Sequence, residues 1–218
     1  MGQASETHRH FIPAAGRDLF LPLYDPLVKL LGRNEQTRGE LVRRARIAPG
    51  HQVLDLGCGT GSLSALIAQR HPEAKLTALD PDPKALARAT AKAARAGLAI
   101  RFEQGFGDAL PFADASLDRV LSSLVLHHLT REEKLATFRD VRRVLRPGGE
   151  LHVLDFGPPQ SRLDRVLTHL IHRGEAMNDN LAGRLPALMQ EAGLAEVRES
   201  TSVRTALGRL SILEAKRA

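Results

Sequence analysis

The sequence predicts an α/β fold, a mostly parallel sheet with helices on both faces. Three observations carry that prediction. Val53-Leu54-Asp55-Leu56 is an apolar strand that runs through Gly57-Cys58-Gly59-Thr60-Gly61 into the helical spacing of Leu63, Leu66 and Ile67. Further strand and helix units follow with short links, and right-handed crossovers then place the helices on both faces of a parallel sheet. At 218 residues the chain suits one domain with a single sizeable core.

Residues 1–24 are broken by Pro13, Gly16 and Pro22, and they lead into two predicted helices at about 25–31 and 35–47. Residues 1–47 read as a helical cap. Tyr24, the only tyrosine, stands where a lid would begin. Ala48-Pro49-Gly50-His51 then turns the chain into the first strand. After the glycine turn the helix stops at His71-Pro72, and 75–80 is a second strand. Asp82 is placed as an N-cap before Pro83 at the first helical position, and this helix runs to Gly97. Ile100 and Phe102 alternate in a third strand, and 117–126 reads as a buried fourth. Thr130-Arg131-Glu132-Glu133 opens the next helix as a capping box, with Leu135, Phe138, Val141 and Leu145 inside. Arg146-Pro147-Gly148-Gly149 turns into a fifth strand at 150–156. Residues 157–218 are expected to hold substrate-side helices at about 161–173 and 186–192, with Gly193 as a C-cap. Two strands, near 195–203 and 208–216, close the chain.

Composition narrows the function classes. The formal charge of +6 comes from 31 basic and 25 acidic residues, spread over helix faces such as Lys84, Arg88, Lys92 and Arg95, where solvation accounts for them. Seven Phe, one Tyr and no Trp make a stacking platform for single-stranded nucleic acid unexpected. The single cysteine, Cys58, permits no intrachain disulfide and suits a reducing compartment; as a small residue in a tight turn it needs no nucleophilic role. No apolar run reaches the ~18–20 residues of a membrane helix, and the first ten residues lack the apolar core of a signal peptide. A cytoplasmic protein, monomer or homodimer, with at most peripheral membrane contact, is the expectation.

Three glycines at alternate positions allow positive φ and let a ligand approach bare backbone, so a nucleotide-like guest is expected at residues 57–61. A dinucleotide fingerprint G-x-G-x-x-G would need its third glycine at position 62, where the chain has Ser62. A pyrophosphate would also be repelled by Asp55 just ahead of the turn. S-adenosylmethionine carries no phosphate. It offers a sulfonium and an ammonium that an acid attracts directly or through water, and a second acid, Asp80, closes the second strand.

The order Asp-x-Gly-x-Gly-x-Gly followed by Asp80 resembles motif I and its successor in class I methyltransferases. Together with Leu110-Pro111-Phe112, Leu145-Arg146-Pro147-Gly148-Gly149 and Val153-Leu154-Asp155-Phe156, it resembles the UbiE-like branch of the S-adenosylmethionine-dependent enzymes over about residues 50–156. The resemblance implies a Rossmann-like sheet of seven strands with an antiparallel last strand, and a cofactor lying across the carboxyl ends of the strands. It implies that Gly57, Gly59, Thr60 and Gly61 lie under the methionine and ribose portion, that Asp80 takes both ribose hydroxyls, that Pro81 lies beside adenine, and that Ser123 lines the cofactor. The chain departs from the family in one place. Where an Asp-Ala or Asn-Ala pair usually precedes the Leu-Pro-Phe phrase, it has Phe106-Gly107, with Asp108 displaced by two. Gly107 can still offer its N–H, and Phe106 can pack on the ring.

Methyl transfer is an in-line displacement at an already activated carbon, so the protein chiefly aligns the reactants and keeps water out. A base serves a hydroxyl or an acidic carbon, and His127, His128 and Asp155 are the candidates at strand ends. His169 and His172, or His8 and His10, have no obvious third ligand nearby, so no metal is expected. The apolar stripe Leu163, Val166, Leu167, Leu170 and Ile171 is explained by packing or by a lipid groove. The expected activity is methylation of a small-molecule or lipid-like acceptor at oxygen, carbon or nitrogen, releasing S-adenosylhomocysteine. A non-catalytic cofactor-binding regulator or partner subunit, and a nicotinamide oxidoreductase, are the competing readings.

Overall fold

The computed structural model describes residues 34–160, 175–205 and 208–218. Tyr24, the helices expected at 25–31 and 161–173, and His8, His10, His169 and His172 fall outside them.

The apolar runs become strands β1 (Gln52–Leu56), β2 (Lys75–Asp80), β3 (Arg101–Gln104), β4 (Leu117–Ser123), β5 (Leu145–Phe156), β6 (Ala195–Thr205) and β7 (Gly208–Lys216). They form one seven-stranded sheet in the order β3-β2-β1-β4-β5-β7-β6. The first five are parallel, and β7 runs antiparallel to both β5 and β6. From β1 the chain winds outward to β2 and β3, then returns to β4 on the other side. That reversal opens a crevice at the carboxyl ends of β1 and β4.

The helices are α1 (Asn34–Arg44), α2 (Ser62–Arg70), α3 (Pro83–Arg95), α4 (Arg131–Val144), α5 (Asn178–Leu181) and α6 (Leu185–Glu191). Strand pleating sends neighbouring residues to opposite layers. Leu54, Val120, Val153 and Leu213 pack with Phe138 and Val141 of α4 and Leu188 of α6, while Val53, Leu121, Leu154 and Ile212 pack with α1 and α2. Leu41 and Val42 of α1, and Ala45 just after it, are fully buried, so this part of the expected cap is a layer of the core.

Capping follows the sequence closely. Asp82 accepts from Lys84 N at 2.8 Å ahead of Pro83, and Thr130 and Glu133 form both bonds of the capping box. Several boundaries differ, among them the end of α1, which stops at Arg44 rather than 47. β4 ends at Ser123 rather than 126, because Leu124 takes φ 62° and the chain tightens into a 3₁₀ turn at Leu126–His128. β5 begins at Leu145, five residues before Glu150, because Leu117 pairs with Leu145 across a register shift.

A buried polar row crosses the α1 layer. His152 Nε2 meets Glu150 Oε2 at 3.0 Å, and Arg46 meets Glu150 at 2.8 Å. Arg44 reaches Glu214 at 3.3 Å. The bond to His152 holds the Glu150 carboxyl down at about 2 in spite of its burial.

Candidate active site

The glycine turn is shaped from both sides. Gly57, Gly59 and Gly61 have φ 72°, 52° and 74°. A Cβ at Gly57 would stand 2.4 Å from Val125 Cγ2, and one at Gly61 would stand 2.9 Å from Ala89 Cβ, but one at Gly59 would meet nothing within 4 Å. The outer glycines therefore serve packing, and the middle one leaves room for a guest. Four of its five amides are already committed. Gly57 and Cys58 donate to Leu79 O at 2.8 and 3.0 Å, Gly59 to Asp80 Oδ2 at 2.7 Å, and Gly61 to Cys58 O at 2.9 Å. A pyrophosphate needs such N–H groups bare, so this turn suits a ligand without one.

Over the turn lies a cavity of about 340 Å³. On its β4 side stand Arg38, Asp55 and Ser123, on its β3 side Pro81, Phe106 and Gly107, with Asp80 on the wall between. Asp80 accepts from Gly59 N and, at 3.0 Å, from Asp82 N. One donor on each oxygen fixes the carboxylate and leaves acceptor capacity for hydroxyls. Burial raises its pKa despite those donors. Asp55 sits deeper, 1% exposed, and receives Ser64 Oγ–H at 2.5 Å; burial pushes its carboxyl up to about 6. Burial also pushes the Cys58 thiol far up, which makes it a poor nucleophile.

Leu124, Val125, His128 and Leu129 form the wall that follows β4. The two histidines part company here. His128 lines the cavity, whereas His127 turns behind it and its Nδ1 lies 2.8 Å from Asp155 Oδ1. Asp155 also accepts from the amides of Val125 (3.1 Å), Leu126 (2.8 Å) and Phe156 (2.8 Å), and from Asn180 Nδ2 (3.1 Å). Burial works against ionisation, but His127 and these donors hold the carboxyl below its ordinary range. An ionised carboxylate only accepts, so the proton between them is on His127 Nδ1. The imidazole rings stand 4.0 Å apart.

The structure thus gathers Asp55, Gly57, Gly59, Thr60, Asp80, Pro81, Phe106, Gly107, Ser123 and His128 around one cavity. Gly61 and His127 stand behind its wall, and Asp108 is not on it. Sequence reasoning missed Arg38, Glu133 and Thr137, all on the lining. Each sits on an amphipathic helix, where nothing in the spacing separates a site residue from a surface one. Among the described residues no three His, Cys, Asp or Glu converge as a metal site, and no helix is long and apolar enough to cross a membrane.

A parallel sheet that reverses beside β1, a glycine turn with four of its five amides committed and a carboxylate closing β2 define a nucleoside-binding α/β core. A family model described as a methyltransferase domain matches residues 53–149. The demethylmenaquinone methyltransferase of Thermus thermophilus is 37% identical over 140 residues, 63% of this chain and 63% of that one. Its namesake from Deinococcus radiodurans is 31% identical over 198 residues, 84% of this chain and 81% of that one. The chain belongs to the class I S-adenosylmethionine-dependent methyltransferases. Among solved structures, the [4+2]-cyclase SpnF superposes with a TM-score of 0.69 at 20% identity, over 84% of this chain and 80% of that one. At that identity the likeness speaks for the fold alone.

Proposed function

We propose that this protein moves a methyl group from S-adenosylmethionine to a small-molecule or lipid-like acceptor that gives up a proton. The observation that carries this reading is the cavity over the glycine turn, open at Gly59 and bounded by Asp80 and Arg38. When bound, the cofactor supplies an activated methyl on a sulfonium. Asp80 takes the ribose hydroxyls, each on an oxygen already steadied by a backbone N–H. Gly57, Gly59 and Thr60 bed the chain that joins ribose to methionine. Arg38, whose Nε lies 3.4 Å from Ser123 Oγ, faces the amino-acid end, its cation suited to a carboxylate. Asp55 suits the cationic groups at the same end.

His128 is the base, standing at the cavity beside apolar Leu124, Val125 and Leu129, which keep water out. His127 and Asp155 hold the turn that aims it. The quinone named for two relatives is an acceptor of this kind, a lipid-like ring that loses a proton on methylation. On this reading the protein works in the cytoplasm as a monomer or homodimer.

The test is calorimetric titration with S-adenosylhomocysteine and, separately, NAD. The first should bind, and Asp80→Ala should weaken it by about 1–3 kcal/mol, the usual cost of stranding buried hydroxyls. Heat with NAD alone would overturn the assignment. Turnover with a panel of phenols and hydroquinones then separates an enzyme from a mere binder, which would release no S-adenosylhomocysteine above background.

A further inference from the structure

The loop after β3 brings no side-chain hydrogen-bond acceptor to the cavity, since Phe106 and Gly107 line it and Asp108 does not. A different element closes that end. Asp140 of α4 accepts from Leu110 N at 2.6 Å, and Arg143 holds the carbonyls of Leu110 at 3.0 Å and Phe112 at 2.8 Å. These bonds clamp the loop against α4. Three and seven residues before Asp140, on the same helix face, come Thr137 and Glu133. Thr137 is 2% exposed, and a Cβ at Gly107 would stand 3.1 Å from its Oγ1. Glu133 and Thr137 both line the cavity. The capping box uses one acceptor site of the Glu133 carboxylate, through Oε2 to Thr130 N at 2.7 Å; a carboxylate has about four.

We propose that α4, through Glu133 and Thr137, reads the polar edge of the cofactor's purine base and so selects adenine. The inference rests on the cofactor assignment made above. Adenine presents an amino donor beside a ring-nitrogen acceptor. A carboxylate can only accept and a hydroxyl can donate, so Glu133 meets the amino group and Thr137 meets the ring nitrogen. Hypoxanthine reverses that edge, presenting a carbonyl oxygen and a ring N–H. Its carbonyl would face a carboxylate, which is the mismatch that rejects it. The acceptor that a side chain at 106 or 107 would have supplied is thereby replaced from the neighbouring helix.

The experiment compares the affinities of S-adenosylhomocysteine and S-inosylhomocysteine for the full chain, its Glu133→Gln and Thr137→Val variants, and Asp108→Ala. Glutamine still completes the capping box, and valine has the branched shape of threonine without the hydroxyl, so both variants should fold. Because the readout is a ratio, a general loosening of the site cancels. The wild-type protein should prefer the adenine compound by about tenfold or more; the ratio should fall about tenfold in Glu133→Gln and several-fold in Thr137→Val, and hold in Asp108→Ala. A ratio unchanged in both α4 variants, or one that collapses in Asp108→Ala, overturns the inference while the cofactor assignment stands. Failure of the wild-type protein to bind either compound overturns both.

Discussion

His127 donates from Nδ1 to Asp155 Oδ1 across 2.8 Å, and the two side chains lock the 3₁₀ turn that carries His128 to the cavity. Asp155 has no capacity left for substrate, with three backbone amides and Asn180 already on it. Asp155→Asn should therefore act through position. It leaves amides of the turn poorly met, lowering stability by about 2–4 kcal/mol in urea denaturation. The wild-type contribution is present above the unfolded carboxyl pKa and is lost as pH falls through the lowered folded value.

His128→Gln should lower kcat by about 100-fold or more with a phenolic acceptor, the usual share of a general base. S-adenosylhomocysteine affinity should be unchanged by calorimetry. A variant with full kcat would remove His128 from the chemistry.

The glycines separate packing from ligand access. Gly57→Ala drives a Cβ into Val125 and should destabilise the protein by several kcal/mol in thermal or chemical unfolding. Gly59→Ala meets no protein atom and should cost only about 1 kcal/mol for its left-handed backbone. It should nevertheless weaken S-adenosylhomocysteine binding, since the methyl enters the cavity. Equal stability losses in the two variants would contradict this division.

Arg38 faces the amino-acid end of the proposed cofactor. Arg38→Met should weaken S-adenosylhomocysteine by about 1.5–3 kcal/mol, the range of a hydrogen bond to a charged group. Binding of 5′-methylthioadenosine, which lacks that end, should hardly change. Equal losses for both compounds would mean that Arg38 serves the fold and not the carboxylate.

Asp55 and Glu150 pull the pH dependence of the empty protein in opposite directions. The folded Asp55 carboxyl, at about 6, lies above its unfolded value of about 3.9, so its contribution is complete below pH ~4 and is lost as pH rises through 6, roughly 3 kcal/mol in all. Glu150, at about 2, contributes above its unfolded pKa and loses that contribution as pH falls. Asparagine at position 55 can still accept from Ser64. The stability of Asp55→Asn relative to wild type should therefore rise by roughly 2–3 kcal/mol between pH 4.5 and 7.5 in urea denaturation. A constant difference would show that Asp55 does not titrate in that window.

The parallel sheet, the glycine turn, the carboxylate ending β2 and the caps at Asp82 and Thr130 are all legible in the order of residues. Each is a local matter: an apolar run, a residue that tolerates positive φ, or a side chain bonding an amide two or three positions away. Which glycine has open space where a Cβ would stand was settled by tertiary packing, because Val125 and Ala89, which fill that space at the other two, come from distant parts of the chain. Tertiary packing likewise set His127 and His128 to different tasks. Adjacent residues in a 3₁₀ turn point apart, and the partner that claims one of them, Asp155, arrives from the next strand. Arg38, Glu133 and Thr137 were hidden for the same reason: packing of α1 and α4 against the sheet, not spacing along the chain, turns them toward the cavity.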